Sequence, residues 1–280
     1  MLILLPPSET KRSGGEGTPL STTWNLSFPE LDETRRSLVQ SLCELAADPV
    51  EMISALKLGP QQHDEVHVNA GILDAPTMPA IERFTGVLFD AIDVGTLDKP
   101  GRDFLASRIL IQSALFGLVR ASDFIPAYRL SFDSRLPSLP PLKKVWASLG
   151  APILATHEGL ILDLRSEGYA ALSPLPDRAD AFFVRAVGRA ANGELRQLNH
   201  FNKKGKGVFV RAVGQNYPHW VRSQAANDSD SVPDDFSIDN IDTLLEWARV
   251  HKVELTKTDD PRELQLVINE ADYPPIGARG

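Results

Sequence analysis

Arg108-Ile109-Leu110-Ile111-Gln112-Ser113-Ala114-Leu115-Phe116-Gly117 is an apolar run too continuous for a half-exposed surface and too short to cross a membrane. Within the reach Phe104–Val119 it reads as a central β-strand ending in a turn. A strand covered on both faces loses the polar–apolar alternation of a one-sided strand. Two further runs share this character. Met1-Leu2-Ile3-Leu4-Leu5 stops at Pro6-Pro7, and Gly159-Leu160-Ile161-Leu162-Asp163-Leu164 gives way to Arg165-Ser166-Glu167-Gly168-Tyr169. Buried strands separated by amphipathic segments predict an α/β (mixed α+β) fold. The expectation is a single compact domain over residues 1–280, with a mixed central sheet flanked by helices.

The surrounding pattern supplies those helices. Leu31, Leu38, Leu42 and Leu45 recur at helical spacing within Pro29–Ala47, with Cys43 at the edge of the stripe. Met52–Val66 reads as helix, hairpin, helix, turning at Leu56-Lys57-Leu58-Gly59-Pro60. Further helices are expected over Met78–Ala91, Val145–Leu149, Lys203–Val213 (capped by Asn202) and Ser237–Val250. Ala181–Val187 and Leu195–Phe201 predict a hairpin closed at Ala191-Asn192-Gly193, and Leu264–Ile268 a last strand. Glycines at 14, 15 and 17 mark residues 12–19 as a mobile loop. Pro137, Pro140 and Pro141 make residues 134–141 a rigid connection, and residues 222–236 read as a flexible acidic loop.

The 280 residues carry a net charge of −8 and 42% hydrophobic residues, ordinary globular values that argue against a generally basic nucleic-acid binder. One cysteine allows no internal disulfide and fits a cytoplasmic protein. No signal peptide, membrane span or membrane partner is expected. Charge is nevertheless segregated. Residues 195–227 hold Arg196, Lys203, Lys204, Lys206, Arg211 and Arg222 without an acid, and residues 134–157 hold Arg135, Lys143 and Lys144 without one. Local potential, not net charge, attracts phosphate. The block Asn202-Lys203-Lys204-Gly205-Lys206-Gly207 falls where a strand passes into a helix, so free backbone N–H groups and lysines would favour an anion there. The plainer alternative is a solvated turn.

Motifs that would fix a reaction are missing. There is no P-loop, GxGxxG or GxSxG. His63 and His67 stand four apart without the glutamate of a zincin, and no haem, iron–sulfur or ferritin-type ligand set is present. No metal or cofactor is expected, and Cys43 reads as a structural thiol. What remains are polar clusters after strand ends, where α/β sheets gather ligands. Ser8, Glu9 and Thr10 follow the first strand; Arg120, Asp123, Tyr128 and Arg129 follow the long apolar run; Glu167 follows the third. They are pocket candidates, with structural ion pairs as the alternative for Arg120, Asp123 and Arg129.

Five of these blocks, in order over residues 1–211, resemble the YaaA family (DUF328, UPF0246). Leu4-Leu5-Pro6-Pro7-Ser8-Glu9-Thr10-Lys11 is similar to the family's opening around S-P-A-K-T, and Phe84-Thr85-Gly86-Val87-Leu88-Phe89 to its F-x-G-D-V-Y. Leu115–Leu130 resembles L-Y-G-V-L-R-P-x-D-x-x-x-P-Y-R-L, Leu162–Tyr169 resembles I-N-L-A-S-D-E-Y, and Phe201–Gly207 resembles F-Y-A-K-K-A-R-G. The resemblance implies a compact cytosolic α/β protein of the peroxide-stress response, linked to limiting unincorporated iron and oxidative damage. It also implies DNA binding through a positively charged cleft and a helix-hairpin-helix element, whose hairpin would fall at Leu56–Pro60. Glu9 departs from the family lysine, Arg165-Ser166 from its Ala-Ser, and Glu167 from its carboxylate type.

Two functions follow as expectations. The first is a peroxide-stress protein binding DNA without sequence preference, its phosphates met by Lys11, Lys143, Lys144, Asn202, Lys203, Lys204, Lys206 and Arg211. The second is an enzyme or binder of a nucleotide-like small molecule, with Ser8, Glu9, Thr10, Arg120, Asp123, Tyr128, Arg129 and Glu167 lining one pocket and Lys203 gripping a phosphate or carboxylate; the blander alternative to both is a scaffold whose motif residues are structural.

Overall fold

A computed structural model describes residues 1–137, 139–190, 193–196, 199–227 and 240–269. Strand β1 (Leu2–Leu5) is buried along its whole length. Helix α1 (Asp32–Ala46) buries Leu38, Leu42 and Leu45 on the predicted stripe. Helices α2 (Pro49–Leu56) and α3 (Glu65–Ala70) form the expected helix-hairpin-helix. The Asp48 carboxylate caps α2 by accepting the N–H groups of Val50 and Glu51.

The helix expected over Met78–Ala91 is broken. It resolves into strand β2 (Met78–Pro79) and helices α4 (Ala80–Arg83) and α5 (Val87–Ile92). Phe84 is extended between the helices, packing against Phe89 and Tyr128, and Gly86 takes a positive φ of 89°. Arg83 is fully buried and donates to the carbonyl oxygens of Arg12, Gly14, Pro76 and Ile125. Those bonds, with bridges Lys11–Phe84 and Gly17–Thr77, pin the glycine-rich loop that the sequence suggested was mobile.

The decisive apolar run is likewise three elements. Helix α6 (Lys99–Arg108) ends on Arg108. Strand β3 (Ile109–Ser113) lies inside the sheet, and β4 (Gly117–Arg120) folds back antiparallel along its outer side. Gly117 makes the turn because φ is +66° and a Cβ would enter the Trp146 ring. Strand β5 (Phe124–Ile125) pairs with β2, apart from the main sheet. Helix α7 (Leu142–Ala155) extends well beyond the expected Val145–Leu149, anchored by the Trp146 indole N–H donating to Ala114 O at 2.8 Å.

Strand β6 (Ile161–Asp163), helix α8 (Glu167–Ala170), strand β7 (Ala181–Arg189) and strand β8 (Leu195–Arg196) follow. Helix α9 (Asn199–Asn227) begins within the stretch expected to be a strand. Asn202 therefore lies inside the helix and does not cap it, and Lys203–Lys206 are not at a strand–helix junction. Gly205 and Gly207 let this helix pack closely, their missing side chains bringing α9 against Ile268 and against the Leu88 carbonyl. Arg222–Asn227 are helical, not part of a loop. The rest of the acidic stretch, with Ala191 and Asn192 of the expected turn, lies outside the described residues. Helix α10 (Ile241–Val250) starts at its Asn240 cap, and strands β9 (Leu255–Lys257) and β10 (Glu263–Asn269) are the last elements among the described residues.

Eight of these strands make one mixed sheet. The order is β4-β3-β1-β6-β7-β10-β9, with β8 on the end of β7. β3, β1, β6, β7 and β10 are parallel, and the edges β4 and β9 run antiparallel. Among the described residues, ten α-helices accompany the sheet. The α/β reading of the sequence is thus the observed architecture. The chain leaves β1 for β3 on one side, and leaves β6 for β7 and β10 on the other. The loops after β1 and β6 diverge there, opening a crevice at the carboxyl ends of the strands.

Candidate functional site

That crevice is a cavity of about 370 Å3. Pro6, Pro7 and Glu9 enter it from β1, and Leu164–Glu167 from β6. Phe183 and Arg185 project from β7, and Asn202, Lys203 and Lys206 come from the first turns of α9. Helical spacing sets the last three on one face, since 202 and 206 are one turn apart.

Lys206 is the more buried of the two lysines that line the cavity. Its Nζ donates to Leu164 O at 2.9 Å and lies 5.5 Å from the Phe183 ring centroid. Burial pulls its pKa down to about 8, with the Asp163 carboxylate opposing and Arg185 assisting the fall. An amine in that range exchanges its proton near neutral pH. Lys203 is exposed at the mouth. Arg185 is held by Glu263 of the neighbouring β10, its Nε and Nη2 each 2.9 Å from Glu263 Oε2, while Glu167 Oε1 stands 3.9 Å from Nη1. Glu9 accepts from Arg129 Nη2 at 3.0 Å. Arg129 is positioned in turn by Asn69, whose amide bonds both its backbone N–H and its carbonyl.

The walls are aromatic. Phe132 and Tyr169 meet edge-to-face at 5.1 Å, and a side chain on Gly168 would overlap the Phe132 ring. Burial raises the Tyr169 hydroxyl to about 12, so it stays protonated. Beneath lies a closed polar floor. Arg165 is fully buried, pairs with Asp163 at 2.6 Å, and also donates to Gln112 Oε1 and Ser173 O. A guanidinium so occupied shapes the pocket and does not contact a ligand.

The structure brings Glu9 and Glu167 of the pocket candidates together with Lys203, as the small-ligand reading expected, and adds Asn202 and Lys206 from the anion-binding set. The others lie elsewhere. Ser8 and Thr10 form a hydroxyl chain with Thr85 (3.2 and 3.1 Å) over Gly86, beside the cavity. Lys11 turns inward, donating to the carbonyls of Ser8 and Glu9 with its Nζ 4.1 Å from the Tyr128 centroid, and burial lowers its pKa to about 7. It is not a surface phosphate contact. Tyr128 is buried, its hydroxyl 2.7 Å from Ser113 Oγ and its pKa raised by burial.

Asp123 accepts from Ser27 Oγ, Ser27 N and Arg120 N, locking the turn at the sheet edge, while the Arg120 guanidinium lies over Phe28. Neither lines the cavity. Arg211 is committed to the end of α5, donating to Ile92 O, Asp93 O and Thr96 Oγ1 at 2.9 Å each. Lys143 and Lys144 are exposed on the first turn of α7, and Lys204 is also outside the lining. The helix-hairpin-helix at 49–70 carries Glu51, Asp64 and Glu65 against one lysine, Lys57, which is no positive surface. Among the described residues no three His, Cys, Asp or Glu side chains group as metal ligands, and no helix is long and apolar enough to cross a membrane. The sequence reading missed Phe183, Arg185 and Phe132. Alternation along β7 was the available signal, since 183 and 185 share a face opposite buried 182 and 184.

Residues 1–226 match a family model described as "Peroxide stress protein YaaA". The chain belongs to the YaaA family. A UPF0246 protein of Corynebacterium efficiens is 41% identical over 217 residues, covering 76% of this chain and 84% of that protein. UPF0246 proteins of Corynebacterium glutamicum and Streptomyces coelicolor are each 39% identical over 217 residues, covering 76% of this chain and 84% and 82% of theirs. The YaaA match takes in both crevice loops and the lysine turn of α9. It ends before β10, which supplies the Glu263 partner of Arg185.

Proposed function

We propose that this YaaA-family protein works by binding a small phosphorylated, nucleotide-like molecule in the crevice at the ends of β1 and β6. One observation carries the reading: Lys203 and Lys206 face the strand-end loops across a cavity walled by Phe132, Tyr169 and Phe183. Ammonium groups suit phosphate, and flat aromatic walls suit a planar ring. Glu9 would accept from sugar hydroxyls. The volume is within the range of small-ligand sites. A reducing, cytoplasmic setting is part of this reading, supported by the single unbridged Cys43. The test is thermal unfolding of the full chain with AMP, ADP, adenosine and inorganic phosphate. AMP and ADP should raise the midpoint more than adenosine, and Lys203→Ala with Lys206→Met should remove the difference. Equal shifts in wild type and variant, or none with any probe, refute it.

Phosphate-mediated DNA binding is the second reading, and it draws on exposed Lys143, Lys144 and Lys203. Its signature would be an affinity falling steeply between about 50 and 200 mM salt and a shallower slope after Lys143→Glu with Lys144→Glu. Salt-independent or undetectable binding at low salt removes it.

A further inference from the structure

A second cavity of about 370 Å3 adjoins the crevice, and the two share Glu167, Phe183 and Arg185 as their common wall. The wall has a fixed part and a loose part. Arg185 is fixed, since Nε and Nη2 both hold Glu263 Oε2 at 2.9 Å across two paired strands. Glu167 is loose: its carboxylate stands 3.9 Å from Arg185 Nη1, beyond hydrogen-bond distance, and its side chain is 82% exposed. It sits at the first position of the four-residue α8, so a rotamer change alone would withdraw it without moving backbone. The chambers differ in chemistry. The first is lined by Lys203 and Lys206. The second offers the carboxylates of Glu263 and Asp260 beside the apolar Leu175, Pro176 and Ala181, while its Arg262 is paired with Asp177 at 2.7 Å.

We infer that Glu167 is a displaceable stand-in for a ligand's anionic group at Arg185, and that its withdrawal joins the two chambers into one elongated site. The occupant is a phosphate ester whose phosphate lies between Arg185 and the α9 lysines. Its hydroxyl- or amine-bearing end reaches the carboxylates of the second chamber, where neutral or cationic donors are favoured and a second anion is excluded. A phosphate outcompetes the resident carboxylate because it carries more charge and can come within bonding distance of Nη1. Phe183 lies between the two cations, 5.5 Å from Lys206 Nζ and 5.7 Å from Arg185 Cζ at its centroid, and forms the flat surface along which such a molecule would pass. The inference rests on the ligand class proposed above and adds the gate and the second chamber.

Calorimetric titration of the full chain with AMP, adenosine and inorganic phosphate tests it. Glu167→Gln preserves shape and removes the competing charge, and its exposed position makes a folding defect unexpected; matched unfolding midpoints would verify this. Glu167→Gln should tighten AMP at least threefold and leave adenosine unchanged. Arg185→Gln should weaken AMP at least tenfold, and Glu167→Gln should then have no effect in the Arg185→Gln background. AMP affinity that is unchanged or weakened by Glu167→Gln, or tightened equally without Arg185, overturns the gate while leaving the ligand site standing. No binding of any probe to wild type or Glu167→Gln overturns both.

Discussion

Replacing Lys206 with Met separates the fold's demand on that side chain from the ligand's. In the folded chain the amine is withdrawn from water, and its pKa falls from 10.5 to about 8. Its charged form is therefore less favourable folded than unfolded. At pH 7, below both values, the shift corresponds to roughly 3 kcal/mol of lost stability, at about 1.4 kcal/mol per pH unit. Met keeps the stem against Phe183 but gives up the 2.9 Å bond to Leu164 O. That loss costs about 1–2 kcal/mol including the exposed carbonyl. The variant should therefore be more stable than wild type by about 1–2 kcal/mol at pH 7.

The sign with pH follows from the proton count. Above pH 8 the folded wild type has released the proton that its unfolded chain keeps until 10.5, so wild type gains stability across that window. The variant's advantage should be gone by about pH 10. Lys11, lowered to about 7, contributes with the same sign in both proteins and cancels in the difference. AMP affinity should move the other way, falling about tenfold or more for one lost charge-assisted hydrogen bond of about 1.5–3 kcal/mol. Urea unfolding followed by tryptophan fluorescence at pH 7 and 10, with calorimetry at pH 7, reads all three quantities. A Met variant less stable than wild type at pH 7, or an advantage indifferent to pH, would refute the reasoning.

Other substitutions separate packing from binding. Arg211→Gln removes the donors that close α5 and should cost about 1–2 kcal/mol in urea unfolding while leaving AMP titrations unchanged; a selective loss of binding would return Arg211 to the site. Gly207→Ala drives a methyl into the Leu88 carbonyl, so despite a better helix propensity it should destabilise by about 1–3 kcal/mol on the same measurement. Cys43 has its pKa raised, chiefly by burial and then by Glu44 and Asp74, and its Sγ faces Asn69 O at 3.5 Å. Iodoacetamide should modify it at pH 7.5 about tenfold more slowly than free cysteine, measured by intact mass, and a rate at or above the free thiol would contradict its packing.

The sequence by itself determined the class of the fold, because short continuous apolar runs at residues 1–5, 108–117 and 159–164, set between amphipathic segments, suit strands covered on both faces. It also determined where chemistry could gather, since polar residues after such strands sit at the sheet's carboxyl edge, and five blocks sufficed to suggest the family. It did not determine element limits within those runs. Arg108 closes a helix and Gly117 a hairpin because of what packs against them, Met1 and Trp146 respectively. Nor did it sort the charged residues. Lys203, Lys206 and Arg211 look alike along the chain, and one period of α9 carries two into the crevice and one onto the end of α5. Lys11, an anion-binding candidate in the sequence, and Arg129, a pocket candidate, serve to hold the β1 loop. Glu9 and Glu167, 158 positions apart, and Arg185 with its partner Glu263 meet only because the strand order brings β1, β6, β7 and β10 side by side. Local periodicity is a property of neighbouring residues and can be read from them. A binding site is a juxtaposition of distant ones, and that is fixed by which strands pair.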